Sequence, residues 1–230
     1  MRIVAIIPAR GGSKGIVGKN SKIILNKPLI AWSIEQALSA KQINEVYVTS
    51  DSDEILNISK EYGATSIKRP DELASDTSSS EDALKHALTK IDQSNPIDYV
   101  MFLQATSPLR LPHHLDQAID HLVSKDADSL LSVTPHLDHF YWQRDAKDGQ
   151  LKSVNYDYKA RKPRQQFNET YHENGSFYLF KPKILINENN RLGGKIEMYQ
   201  MDTWCSFQID ELEDFNTCEY LLKRIVGENV

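Results

Sequence analysis

The stretch Ile3-Val4-Ala5-Ile6-Ile7-Pro8, followed by Ala9-Arg10-Gly11-Gly12-Ser13-Lys14-Gly15 and closed by Gly18-Lys19-Asn20, decides the fold. A short apolar run rich in β-branched residues has the pattern of a buried strand. It empties directly into a loop holding four glycines, three cations and a serine. Glycine, with no Cβ, lets backbone N–H groups turn toward a bound anion. Arg10, Lys14 and Lys19 add fixed positive charge at the same place. A strand ending in such a loop is suited to hold a polyphosphate. Spacing excludes the two common nucleotide loops. A Walker A loop needs G-x-x-x-x-G-K-[ST], whereas here Ser13 stands at the first glycine and Asn20 at the hydroxyl. The dinucleotide fingerprint G-x-G-x-x-G is missing from the loop as well.

Working outward, strands alternate with helices. Pro28 is expected at the first position of a helix whose apolar face is Ile30, Ile34, Ala37 and Leu38. Glu45–Thr49 reads as a strand ending at Ser50-Asp51, and Asp51 or Ser52 as the cap of a helix carrying Ile55, Ile58 and Tyr62 inward and stopping at Gly63. Ser78-Ser79-Ser80-Glu81 has the form of a capping box ahead of Leu84, Ala87, Leu88 and Ile91. Tyr99–Leu103 and Ser129–Val133 read as strands. Between them Pro112 opens a helix with Leu115, Ala118, Ile119 and Leu122 inward, and the pair His113-His114 at its start is expected in solvent rather than on a metal. This rhythm predicts a mostly parallel sheet with helices on both faces and ligands beyond the carboxyl ends of the strands. The loops Ala9–Asn20, Ser50-Asp51 and Gln104–Arg110 all fall there. The rhythm breaks over 135–173, which holds His136, His139, Tyr141, Trp142, Tyr156 and Tyr158. So many aromatics in one irregular segment predict packing against a second subunit. Ser176–Phe180 resumes the sheet, and a helix over Leu212–Val226 follows. The organisation expected is one domain over 1–230, with 135–173 an inserted dimerisation segment.

Lysine and arginine number 27 against 32 aspartates and glutamates, a net charge of −5. No basic excess exists to serve nucleic acid; the cations are clustered locally, as small anionic substrates require. Cys205 and Cys218, the only cysteines, have no zinc or redox spacing and read as small buried hydrophobes. One Arg2 before a five-residue apolar run does not make a signal peptide, and no stretch approaches a membrane span. A cytoplasmic location without membrane association is expected.

The first loop, P-A-R-G-G-S-K-G-x-x-x-K-N, resembles the sugar-activating nucleotidyltransferases and, more narrowly, the cytidylyltransferases of acylneuraminate (sialic-acid-type) sugars. Four further segments resemble that family in family order: Arg69-Pro70-x-x-Leu73-Ala74-Ser75-Asp76-Thr77-x-Ser79-Ser80, Leu103-Gln104-x-Thr106-Ser107-Pro108-Leu109-Arg110, Pro163-Arg164-Gln165-Gln166 with Asn174-Gly175-Ser176-Phe177-Tyr178, and Ile209-Asp210-x-x-x-Asp214. The resemblance implies the three-layer α/β nucleotidyltransferase (Rossmann-like) fold with a dimerisation excursion, a homodimer, and transfer of CMP from CTP to an acidic nine-carbon 2-keto sugar with Mg²⁺ or Mn²⁺. It places Arg10, Lys14 and Lys19 on the triphosphate, with Gly11, Gly12 and Ser13 in the same nucleotide-binding loop. Asn20 is placed beside the nucleotide sugar, and Arg69 and Ser80 near cytosine. Gln104 and Arg164 are placed on the acidic sugar with Tyr178 on the same wall, and Asp210 on the metal. Arg10, Lys19 and Asp210 would carry catalysis. These roles are chemically apt: arginine grips a carboxylate bidentately, and Mg²⁺ takes one or two carboxylates plus phosphate oxygens.

Three departures bear on this reading. Gln208 stands where the family often has a second acidic residue, which leaves one or two metal carboxylates open. Thr106 stands where activators of octulosonate sugars carry aspartate, which argues against that substrate. Arg191-Leu192-Gly193-Gly194 replaces aromatics that line the sugar pocket in some sialic-acid activators, so legionaminic acid is a rival substrate. Asp214 is expected at the first turn of the last helix, where the helix dipole favours it, rather than on the metal. A non-catalytic nucleotide-binding module is the competing class, with Gln208 as its support; a P-loop kinase fails on the loop spacing.

Overall fold

β1 (Ile3–Pro8) is buried on both sides, and its alternating side chains show why the sheet is covered on both faces. The computed structural model describes residues 1–12, 15–75, 77–92, 94–136 and 140–227, with Arg164 described in its backbone alone. A small hairpin of β2 (Ile23–Ile24) and β3 (Lys27–Pro28) leads into α1 (Leu29–Ser39). There follow β4 (Glu45–Ser50), α2 (Asp53–Glu61), β5 (Thr65–Lys68), α3 (Ser80–Lys90), β6 (Tyr99–Leu103), α4 (Pro112–Ser124) and β7 (Ser129–His136). The excursion forms a second hairpin, β8 (Trp142–Arg144) with β9 (Leu151–Ser153), before β10 (Thr170–Phe180), α5 (Pro182–Glu188), β11 (Ile196–Gln200) and α6 (Leu212–Val226) close the chain.

The central sheet has seven strands in the order β11-β7-β10-β6-β1-β4-β5. Every pairing is parallel except those of β10, which lies antiparallel between β6 and β7. Ile3, Ala5 and Ile7 pack with Ile30, Ile34, Leu115 and Ile119 of α1 and α4. Val4 and Ile6 point the other way, onto Leu84 and Leu88 of α3 and Leu185 of α5. The period-two alternation of one strand therefore feeds two helical layers. α6 covers neither face: Phe215, Cys218 and Leu222 pack on Ile16 of the glycine loop, Leu29 and Trp32 of α1, and Ile209. The last helix thus clamps the loop to the domain. Among the described residues no helix is long and apolar enough to cross a membrane.

Several local expectations need correction. Pro28 is the residue before α1, not its first, and Leu38 is 48% exposed because α1 turns Leu29, Ala31 and Trp32 inward instead. The cap of α3 is Ser79, whose Oγ accepts from the Asp82 N–H at 3.1 Å, one residue later than the expected box. Ser78 is already committed, donating to the Glu72 carbonyl at 2.8 Å. Ser52 caps α2 as expected, and Gly63 ends it at φ +90°. Cys205 and Cys218 are buried, and burial pushes both thiols up to about 12.

His114 is not in solvent. It is buried in the first turn of α4, its Nδ1 accepting from the Leu111 N–H at 3.1 Å. Burial, reinforced by the neighbouring His113, lowers its pKa to about 4. Between pH 6.5 and 4 the unfolded chain therefore binds a proton that the folded one refuses, so stability falls as pH drops through that window, by about 3 kcal/mol. Urea unfolding at pH 7 and pH 4.5 checks this. His114→Gln is expected to lose less stability over the interval than the parent chain, and an identical loss would dismiss the assignment.

Candidate active site

The carboxyl end of β1 delivers the glycine loop, and neighbouring elements fix its course. Ala9 N–H donates to the Thr49 carbonyl at 3.0 Å, extending the β1–β4 ladder by one residue. Gly11 N–H then donates to Asp51 Oδ1 at 3.1 Å. A Cβ on Gly11 would lie 2.9 Å from Ser52 Cβ, so close approach to the start of α2 demands glycine. Gly15 is constrained harder, since a Cβ there would lie 2.7 Å from the Asp210 carbonyl oxygen. The loop returns through Asn20, which is buried and donates from Nδ2 to the Arg10 carbonyl at 3.1 Å. Lys19 reaches across to the segment ahead of α6. Its ammonium lies 2.7 Å from the Ile209 carbonyl and 3.3 Å from Asp210 Oδ1.

Two cavities open on this loop. The first, about 380 Å³, is lined by Arg10, Gly15, Lys19 and Asn20 from the loop, Phe102 and Gln104 from the end of β6, Ser80 and Asp210. The second, about 280 Å³, is lined by Arg10, Arg69, Leu73, Ala74, Ser75 and the serines 78–80. Pro8, Arg10 and Ser80 belong to both, so the two form adjoining compartments of one cleft. Arg69 is buried, and desolvation lowers its pKa, against the opposing pull of Asp51, whose Oδ1 lies 3.7 Å from Nη2. Asp51 therefore holds both the loop backbone and the arginine of the second compartment. The sequence placed Ser50-Asp51 among the loops beyond the strand ends and offered Asp51 as a possible helix cap, but it carried no sign of the bonds to Gly11 and Arg69.

The structure gathers Arg10, Lys19, Asn20, Gln104 and Asp210 in one compartment and Arg69 with Ser80 in the other. Gly11 and Gly12 lie in the connecting loop, and Ser13 and Lys14 lie outside the described residues. Arg164 opens a one-turn 3₁₀ helix, Arg164–Gln166, in the excursion. Tyr178 does not line either cavity. It lies one ring behind, stacked on Phe102 at 5.5 Å, with its hydroxyl donating to Glu173. Arg191, from the segment after α5, lies over both rings at 4.9 and 4.8 Å and pairs through Nε with Glu81 at 2.7 Å. The wall expected to carry Tyr178 is thus a Phe102–Tyr178–Arg191 stack with Phe102 foremost.

Among the described residues Asp210 is the only carboxylate lining the first compartment, and its side chain is 71% exposed. Asp214 lies in the first turn of α6 as expected, and its Oδ2 accepts from the N–H groups of Asp210 and Glu211 at 2.8 and 2.7 Å. Gln208 donates from Nε2 to the Asn174 carbonyl. A carboxylate has no proton to give there, which accounts for glutamine at this position. Among the described residues no cluster of three or more His, Cys, Asp or Glu side chains is placed to hold a metal. One exposed carboxylate at the mouth of a cationic loop fits a divalent cation that takes its remaining ligands from phosphate oxygens and water.

The sequence pattern of the cytidylyltransferase family matches residues 4–227. The chain belongs to the cytidylyltransferase family. An N-acylneuraminate cytidylyltransferase of Oncorhynchus mykiss is 36% identical over 225 residues, covering 96% of this chain and 50% of that protein. The enzyme of that name from Escherichia coli O18:K1:H7 is 35% identical over 217 residues, covering 93% and 50%. The chain spans about half the length of these curated relatives. A pseudaminic acid cytidylyltransferase of Campylobacter jejuni is 32% identical over 229 residues and is matched over 97% of both chains. Among solved structures, CMP:2-keto-3-deoxy-manno-octonic acid synthetase complexed with CTP superposes with a TM-score of 0.75 at 16% identity, over 98% of this chain and 100% of that one. The expected nucleotidyltransferase fold is therefore the observed one.

Proposed function

We propose that this cytidylyltransferase transfers CMP from CTP to the anomeric hydroxyl of an acidic nine-carbon 2-keto sugar of the N-acylneuraminate type, releasing pyrophosphate. The observation that carries this reading is the two-compartment cleft with Arg10 and Ser80 on the shared wall. A nucleotide fits it with its base beside Arg69 and Ser80 and its phosphates along Arg10, Lys19 and Asn20. The sugar hydroxyl oxygen attacks the α-phosphorus in line and its proton passes to water, while the bond from the α-phosphorus to the bridging oxygen breaks and pyrophosphate leaves with that oxygen. The chain supplies position and charge: Lys19 and Arg10 face the phosphates, and Gln104 orients the sugar. Asp210 would hold a divalent cation, Mg²⁺ or Mn²⁺, which when bound neutralises phosphate charge.

The same reaction on legionaminic acid or another nonulosonate is the second reading. Arg191 over Phe102 and Tyr178 is what keeps it in play, because a guanidinium stands where some sialic-acid activators place aromatics. Pyrophosphate release from CTP across a panel of acidic sugars tests both readings. Arg164, read as the grip on the sugar carboxylate, enters the same assay: Arg164→Lys keeps the charge but loses the planar fork, and is expected to lower kcat/KM for the sugar by about tenfold or more with CTP binding unchanged. No release with any sugar would leave only a nucleotide-binding module, and unchanged sugar kinetics in Arg164→Lys would remove that residue from the site.

The excursion is proposed to form a homodimer. Tyr141, Trp142 and Tyr158 are exposed, and Trp142 lies edge-on or tilted against Tyr156 and Tyr158 at 6.1 and 5.3 Å. Rigid aromatic clusters of this kind anchor protein interfaces. Light scattering at micromolar concentration is expected to give the mass of a dimer, and a monomer would end the proposal.

A further inference from the structure

Arg110 ends the segment Gln104–Arg110, and nothing in the site so far uses it. It is 1% exposed, the largest of the fully buried side chains among the described residues. Nη1 donates to the Ser176 carbonyl at 2.5 Å and lies 3.3 Å from Ser176 Oγ. Nη2 donates to the Gln104 carbonyl at 2.8 Å and to Ser33 Oγ. Three elements meet on one guanidinium: α1 through Ser33, the loop after β6 through Gln104, and β10 through Ser176. Among the described residues no carboxylate pairs with it.

A buried charge without a counter-ion is a poor device for stability, so the arrangement needs another reason. The planar fork supplies it, since fixed donors can meet carbonyls from two converging segments at once. Those segments form the sugar side of the cleft. Gln104 N–H also donates to the Ser176 carbonyl at 3.3 Å, closing a small ring of bonds around Arg110. Next to it, Gly175 takes φ +63° at the β10 irregularity, and a Cβ there would lie 3.3 Å from Gln104 Oε1 and 2.7 Å from Gln208 Nε2. The Gln104 amide is therefore held from behind by its own peptide and from the side by the bulge. Burial lowers Arg110 to about 9, so it stays protonated at neutral pH.

We infer that Arg110 is a positioning residue for the acidic co-substrate: its buried guanidinium fixes the Gln104 peptide and the Gly175 bulge, and so sets where the Gln104 amide meets the sugar. This rests on the CMP-transfer reading of the cleft. Arg10 and Lys19, on a different element, keep the nucleotide end independent of it.

The test compares Arg110→Lys with the parent chain. Lysine keeps the charge but presents one ammonium in place of the fork. Sugar KM is expected to rise about tenfold or more, while CTP affinity by calorimetry stays within about twofold. A merely structural role would lower the melting temperature and leave the sugar KM of the folded protein unmoved, and that result overturns the inference. If Arg110→Lys does not fold, Ser33→Ala carries the test by removing one acceptor of Nη2 on α1. A rise of about threefold in sugar KM is then expected, and no rise overturns the inference. The parent chain is assayed alongside. Its failure to release pyrophosphate with any acidic sugar overturns the reading of the cleft and this inference together, whereas release by the parent with unchanged variant kinetics overturns this inference alone.

Discussion

Lys19→Ala is expected to reduce the rate of CMP transfer by about 10²–10³-fold while leaving the protein folded. The ammonium is held in place before substrate arrives, by the Ile209 carbonyl at 2.7 Å and Asp210 at 3.3 Å, and its side chain is only 12% exposed. Removing one preorganised charge donor at a reacting centre costs about 3–4 kcal/mol of transition-state stabilisation. The stability cost is smaller. Losing the bond to Ile209 costs about 1 kcal/mol, and the pairing with an Asp210 so open to solvent adds little. The two magnitudes separate a catalytic effect from unfolding. Circular dichroism and single-turnover kinetics check it, and a folded Lys19→Ala protein turning over CTP near the parent rate would sink the phosphate assignment.

Removal of divalent metal is expected to abolish turnover, with Mg²⁺ or Mn²⁺ restoring it. Asp210→Asn is expected to raise the metal concentration for half-maximal activity by about tenfold or more, because asparagine offers a neutral oxygen where a hard cation prefers charge. Gln208→Asp is expected to give no gain in metal response. Its amide proton is spent on the Asn174 carbonyl, and a carboxylate there would face that oxygen instead of donating to it. Titration of activity with Mg²⁺ after exhaustive chelation decides the matter; full turnover without metal removes the cation from the mechanism.

The parts legible in the sequence were those where one local rule dominates. Ile3–Pro8, the inward residues of α4 and the span of α6 all appear in the structure as read. β5 and β11 were missed for a shared reason. Thr65–Lys68 has one buried residue, and Ile196 and Met198 of β11 are exposed, so neither edge strand carries the apolar run that marks a central one. α5 is seven residues long, too short for a helical period to declare itself. At the site, residue types were readable but partnerships were not. Asp51, Arg110 and Arg191 act through a backbone N–H, a guanidinium, carbonyls, rings and a carboxylate that are distant in sequence, and only the sheet order brings these together. His114 shows the same limit, since a histidine beside Pro112 looks solvated until the packing of α4 buries it.

The reversed direction of β10 has a consequence for how this scaffold can diversify. In a parallel unit the chain must cross back over the sheet before the next strand, so any change of length disturbs a packed helix. Because β10 runs against β7, the connection between them leaves and returns at the same rim, the rim where β1 and β6 deliver the candidate cleft. Residues can be added or removed there with neither helical layer involved, and lengthening a flexible connection costs only about 0.6 kcal/mol per doubling. The sheet thus has one segment whose length is decoupled from its core, at the place where new partner contacts and new substrate shapes would have to be met.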